Sequence, residues 1–167
     1  MDPEPPTSPA MLSSQRAMAL GKLLVLAQFG LMVGLVLMGA AALQPWPSGP
    51  LLGLAALLML AGAALGVAAL RANRPGNFNI HPAPREGGQL IEHGPYRWLR
   101  HPMYSAVLLL CAAAAVLAAS LPGLLAWLLL LAVLVAKAAI EEHWLAERHA
   151  GYAAYCRRTW RLLPRVF

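Results

Sequence analysis

Two clusters of polar side chains stand out in this chain. The first is Gly94-Pro95-Tyr96-Arg97-Trp98-Leu99-Arg100-His101-Pro102-Met103-Tyr104; the second is Glu141-Glu142, with Lys137 one helical turn earlier. Proline is favoured at the first helical position, so a helix is expected to start at Pro102 with His101 at its cap. A helix start leaves backbone N–H groups without partners and carries a positive dipole end. With Arg97 and Arg100 beside it, such a start suits a carboxylate or phosphate. The glutamates suit hydrogen-bond donors or an ammonium. Taken singly, each residue also has a plain reading: arginines beside an apolar helix as anchors, and a Glu pair as a solvated face or a salt-bridge partner.

The elements that must position these clusters are apolar. The chain has 167 residues, 59% hydrophobic and 12% charged, against about 25% charged in soluble domains. Mean hydropathy is positive. No Lys, Arg, Asp, Glu or His occurs in 23–70 or in 102–136. These runs predict helices over about 20–43, 51–70, 102–119 and 124–140, the last continuing as an amphipathic cytoplasmic helix over 141–157. A hydrocarbon core takes about 20 residues, so the expected fold is an all-α integral membrane protein with four transmembrane helices. The breaks fall at Gln44-Pro45-Trp46-Pro47-Ser48-Gly49-Pro50 and at Ser120-Leu121-Pro122-Gly123, where prolines remove donors. Residues 1–18 read as a disordered tail rich in Pro and Ser, and 19–167 as a single domain with its ligand-binding core at 77–164. Ala40-Ala41-Ala42 mimics a signal-peptide cleavage site, but the apolar stretch exceeds the usual 7–15 residues, so the first helix is expected to be retained.

Both apolar connections are uncharged, whereas the N-terminal flank, 71–101 and the C-terminal region carry all the Lys and Arg. The positive-inside bias places those three segments, and both termini, in the cytoplasm. The net charge of +6 follows the membrane flanks and forms no separate basic face, which argues against a nucleic-acid partner. Trp46 and Trp127 are expected near one interface and Trp98, Trp144 and Trp160 near the other, as an aromatic belt. Gly30/Gly34 and Gly62/Gly66 are small-xxx-small pairs, expected to let helices approach closely within the monomer. Cys111 and Cys156 read as unpaired thiols.

Helices three and four form a hairpin turning near Leu121. His101 and Glu141 each lie twenty positions from that residue, so the turn brings the two polar clusters to one depth at the inner surface. A ligand with an anionic group, a cation and a ribose would span both clusters, and S-adenosylmethionine has all three. Arg100 and Glu142 are the candidate catalytic side chains, with Glu141 or Glu142 able to serve as base for an amine acceptor. Lys137 reads as an interfacial, snorkelling charge or as a contact for an anionic acceptor.

The pattern Gly94-Pro95-Tyr96-Arg97-x-x-Arg100-His101-Pro102-x-Tyr104, followed by Glu141-Glu142-x-x-Leu145, Tyr152-x-x-Tyr155, Arg161 and Pro164, resembles the isoprenylcysteine carboxyl methyltransferase and phospholipid methyltransferase superfamily of membrane enzymes. The resemblance covers about the C-terminal half. It implies an S-adenosylmethionine pocket at the cytoplasmic membrane face, with contacts from Tyr96, from His101, Pro102, Met103 and Tyr104, and from Glu141 opposite. It also implies contacts from Gly88, Gln89, Leu90 and Ile91 and from His81, and an acceptor near Lys137. The acceptor is a lipophilic or small thiol, carboxylate or amine. Alanine-, leucine- and arginine-rich composition suggests a bacterial inner membrane. The Ala150-Gly151 region departs from the Phe-Gly common in that superfamily, one residue short. An NADPH-dependent membrane reductase is the competing enzyme reading, although no dinucleotide glycine loop is present. A haem-bearing or other accessory subunit is the non-enzymatic one, although all five histidines lie outside the apolar runs.

Overall fold

The computed structural model describes residues 9–43, 47–73 and 89–165. Among these the protein is helical, with no strand and one isolated parallel bridge between Leu99 and Trp160. Helix α1 is Pro9–Ala41, α2 is Gly49–Ala72, α3 is Pro102–Ala118, α4 is Leu121–Arg148 and α5 is Tyr152–Arg158, with a single 3-10 turn at Gly94–Arg97. Three helical stretches are long and apolar enough to cross a membrane: Ala19–Ala41, Gly49–Ala72 and Leu121–Arg148. Helix α3 is apolar but has 17 residues, about 25 Å at 1.5 Å per residue.

Several boundaries differ from those expected. Helix α1 begins at Pro9, inside the stretch expected to be disordered. Helix α4 begins at Leu121 and runs through Pro122 and Gly123 rather than breaking there. The reason is local: Ser120 caps the helix, its hydroxyl accepting from Gly123 N at 3.2 Å, and proline in a first turn gives up no intrahelical bond. Helix α4 ends at Arg148, and 149–151 breaks what was expected to be one helix to 157 before α5 begins. Between α3 and α4 only Ala119 and Ser120 intervene, and Ala119 closes α3 in the left-handed region at φ 43°.

Helix α3 is central: α1, α2 and α4 all pack on it, and α1 also packs on α4. Leu35, Leu130 and Leu134 are fully buried where α1, α3 and α4 meet, with Leu108 and Cys111 beside them and Leu162 of the tail joining. Outward-facing leucines such as Leu26 on α1 and Leu60 on α2 remain exposed, as they do in a protein whose solvent is lipid.

Close helix approach is made by glycines, but not by both expected pairs. At Gly62 an added Cβ would sit 2.9 Å from Leu110 Cγ and 3.1 Å from Ala106 O, and at Gly66 it would rest 3.5 Å from Ala106. Gly30 and Gly34 have open space where a Cβ would go, so this pair packs no helix. The α1–α3 contact is made instead at Gly39, where a Cβ would lie 2.9 Å from Ala114 O and 3.1 Å from Ala114 Cα. Backbone cannot give way as a flexible side chain can. Gly39→Ala is therefore expected to destabilise the protein by about 1–3 kcal/mol through overpacking, while Gly30→Ala is neutral or slightly stabilising. Thermal unfolding of the two variants in detergent micelles measures the difference.

Candidate functional site

The two polar clusters meet at the ends of α3 and α4. Pro102 starts α3 and His101 occupies its N-cap, as expected. Upstream, Gly94 adopts φ +59°, a left-handed conformation that glycine takes without strain, and a Cβ there would strike Ala72 of α2 at 2.9 Å. This close approach seats the Gly94–Arg97 turn on α2 and aims Tyr96 and His101 toward α4.

Glu142 is the centre of the junction. Its carboxylate accepts from Arg100 Nε at 2.8 Å, lies 3.1 Å from His101 Nε2, and accepts from Arg161 Nη2 at 2.6 Å and Arg161 Nε at 3.0 Å. Only 13% of its side chain is exposed. Arg100 also turns Nη1 to the tail, donating to Thr159 O at 2.6 Å and Cys156 O at 3.2 Å. Arg100 is thus committed to a clamp, and Arg97 stacks on Trp98 at 4.3 Å. The pair of arginines expected to receive an anion is divided between two tasks.

The chain after α5 is strapped across the start of α3. Trp160 N donates to Trp98 O, Arg100 N to Trp160 O, and His101 N to Arg161 O, at 2.9, 2.7 and 3.1 Å. Ser105 Oγ donates to Leu162 O at 2.6 Å, and buried Tyr155 donates to Tyr96 O at 2.7 Å. Tyr104 N and Ser105 N both donate to His101 O. The backbone donors expected to hold an anion at this helix start are therefore largely taken by the protein itself.

Beside the clamp, half-buried Tyr104, buried His101 and partly exposed Glu141 form a wall. The Tyr104 and His101 rings stack with centroids 5.3 Å apart and planes 5° from parallel. Tyr104 OH donates to Glu141 Oε2 at 2.9 Å, and His101 Nδ1 lies 3.6 Å from the same oxygen. About a third of the Glu141 side chain is exposed, at 34%. Burial works against charge on His101, but the carboxylates on both ring nitrogens outweigh it and hold the imidazole pKa above its ordinary value. Burial, with the Glu141 charge adding to it, pushes the Tyr96 phenol up to about 12, so it stays protonated and able to donate.

Behind this wall, Lys137 is buried, 1% exposed. Its ammonium donates to Gln28 Oε1 of α1 and lies 5.3 Å from the centre of the Tyr104 ring. It neither snorkels nor opens to a surface, and reaches the wall through Tyr104. Pro102 is fully buried, Ile91 is buried, Leu90 and Met103 are half-buried, and Gln89 is exposed. His81 and Gly88 lie outside the described residues. Gln28 was not singled out from sequence; its signal is that it is the one amide in 23–43. Ser105 and Thr159 carry no comparable signal.

Two outcomes follow from these contacts. Lys137→Met leaves the buried Gln28 amide without its donor and is expected to cost about 1–3 kcal/mol; adding Gln28→Leu removes the orphan and recovers most of that loss, read as a double-mutant cycle of thermal unfolding. Because the folded His101 pKa is raised, its stabilisation is complete below the unfolded value of about 6.5 and fades as pH rises through the higher folded value. The wild-type melting temperature is therefore expected to decline over that window, and a His101→Asn variant to lack this component.

The protein-family comparison matches the phospholipid methyltransferase model over residues 51–151. The match takes in α2, the Gly94–Tyr104 cluster, Lys137 and both glutamates, and stops before the tail that closes the junction. No curated protein matches the chain. With more than half its length under that model, and with the two clusters that carried the resemblance in contact, the chain belongs to the phospholipid methyltransferase family.

Proposed function

We propose that this integral membrane protein transfers a methyl group from S-adenosylmethionine to a lipophilic or small thiol, carboxylate or amine acceptor at the cytoplasmic face of a bacterial inner membrane. The observation that carries this reading is the Tyr104–Glu141–His101 wall, built from the residues that the family match spans. In support of the topology, α3 serves as a fourth, short span paired with α4 as a hairpin, which puts both termini on the charged side.

S-adenosylmethionine, when bound, supplies an electrophilic sulfonium methyl for in-line displacement, a reaction that depends mainly on alignment and exclusion of water. The chain's own residues fit that need. Glu141 has one oxygen fixed by Tyr104 and a partly exposed side chain, and its carboxylate is the group assigned to accept ribose hydroxyls or an ammonium. Tyr96, a protonated phenol held near Glu141, adds a donor. Tyr104 offers a ring edge whose position is set by His101 and Lys137. We assign His101, Pro102 and Met103, which begin α3, to the same pocket, and Gln89, Leu90 and Ile91 precede the turn that carries Tyr96.

Arg100 and Glu142 support transfer as positioning residues. A carboxylate already held by two arginines and a histidine is a poor proton acceptor, whereas its contacts fix His101 and the tail. Glu141 is the better-placed group if the acceptor is an amine. Lys137, through Tyr104, stands on the side of α4 from which the acceptor is proposed to approach.

Isothermal titration calorimetry with S-adenosylhomocysteine tests the reading. The wild-type protein is expected to bind S-adenosylhomocysteine and not NADPH. Glu141→Gln is expected to weaken binding by about ten- to a hundredfold, the scale of a lost charge-assisted hydrogen bond or two. Binding unchanged by that substitution would remove Glu141 from the pocket; NADPH binding in place of S-adenosylhomocysteine would replace methyl transfer with reduction.

A further inference from the structure

The flank of α3 that carries Ser105, Leu108, Leu109 and Ala112 borders a groove of about 1620 Å³. Ordinary small-molecule pockets run to roughly 300–1,000 Å³. The walls are apolar, formed by Leu58 and Leu65 of α2, Leu109 of α3, and Trp127 and Leu131 of α4. None of Tyr96, His101, Tyr104, Lys137, Glu141 or Glu142 lines it. The Ser105–Leu162 hydrogen bond is part of its wall, so the tail strap stands on the groove side of the junction.

The rim has a different chemistry. Arg97 and Arg165 line one end together with Trp98 and Trp160. Both arginines are exposed, and neither pairs with a carboxylate among the described residues. Indoles at this position are typical of the membrane interface. Along α2 the lining runs from Leu58 to Ala68, ten steps of 1.5 Å or about 15 Å. That is half of a hydrocarbon core of about 30 Å, the depth of one leaflet.

A trough one leaflet deep, greasy along its length and cationic at its interfacial end, complements a glycerophospholipid with its chains against the helices and its phosphate at the guanidinium groups. We propose that the groove binds one bilayer glycerophospholipid with an anionic headgroup, as a resident lipid and not as the methyl acceptor. The lipid fills the space where α2 and α4 both face the groove, and it joins α2 to the tail that closes the polar junction. The assignment is independent of methyl transfer, because its readout is lipid retention.

The test uses the full chain reconstituted into vesicles of equal parts phosphatidylglycerol and phosphatidylcholine, extracted into mild detergent and examined by native mass spectrometry. Phosphatidylglycerol is expected to be retained about tenfold over phosphatidylcholine, within what two interfacial arginines supply. The R97Q/R165Q double variant, altered only at exposed positions, is expected to bring the two lipids to parity. Ala61→Trp, which fills the groove, is expected to lower retention of both. Equal retention by the wild-type protein, or an undiminished preference in the double variant, overturns the proposal. In a second set of vesicles that also contain phosphatidylethanolamine, retention of that lipid and its methylation on incubation with S-adenosylmethionine in the wild type but not in Ala61→Trp would likewise overturn the proposal, making the groove the acceptor site.

Discussion

The carboxylate of Glu142 is the interaction on which the rest of the site depends. It is approached by Arg100 from the start of α3, by His101 from the cap of the same helix, and by Arg161 from the tail. Two stretches of chain, the start of α3 and the tail, converge on one side chain of α4 with 13% exposure. Such a junction need not add net stability, since apolar groups of similar volume often do as well as a buried ion pair. Its value is directional: a carboxylate gripped by the Arg161 fork, by Arg100 Nε and by an imidazole restricts the arrangement of the segments that bear them. The orientation of His101, and through it of Tyr104 and Glu141, follows from that arrangement.

Helix α3 separates two environments. One flank carries Tyr104 toward α4 and α1, where Lys137 and Gln28 meet in an otherwise apolar contact. Another carries Ser105, Leu109 and Ala112 toward the groove shared with α2. The polar flank is held by hydrogen bonds and ion pairs, and the apolar one by shape, with Gly62 letting α2 come close. In lipid there is little hydrophobic drive between helices, so these two means of association do the work that burial does in water. The Lys137–Gln28 pair adds a rotational constraint on α1, because only one face of that helix has an amide to offer.

Much of this was legible before any coordinates. The uncharged runs marked the helices, Pro102 marked the start of α3, and equal spacing about Leu121 predicted that His101 would meet the glutamates. What escaped were features set by contacts distant in sequence or by a single cap. Leu121-Pro122-Gly123 reads as a break until Ser120 is seen to cap it. Arg100 reads as an anion receptor until the carbonyls of Cys156 and Thr159 are found against it. Gly30 and Gly34 have the spacing of a packing motif, yet Gly39 makes the contact, because spacing cannot say which face of a helix meets a neighbour. The 149–151 break is a tertiary effect, since α5 must turn for Tyr152 and Tyr155 to be buried.

The separation in sequence of the clamp's partners bears on how the molecule assembles. Arg100 and Glu142 are 42 positions apart, whereas each apolar helix closes its own hydrogen bonds locally and can enter the bilayer as an independent unit. Long-range closure follows such local steps, because its loop entropy must be met first. Closure of the polar junction is therefore expected to follow helix insertion and docking, its arginines and glutamates staying hydrated until then. Construction is then expected to proceed from the hydrocarbon outward, with the Tyr104–His101–Glu141 arrangement completed last.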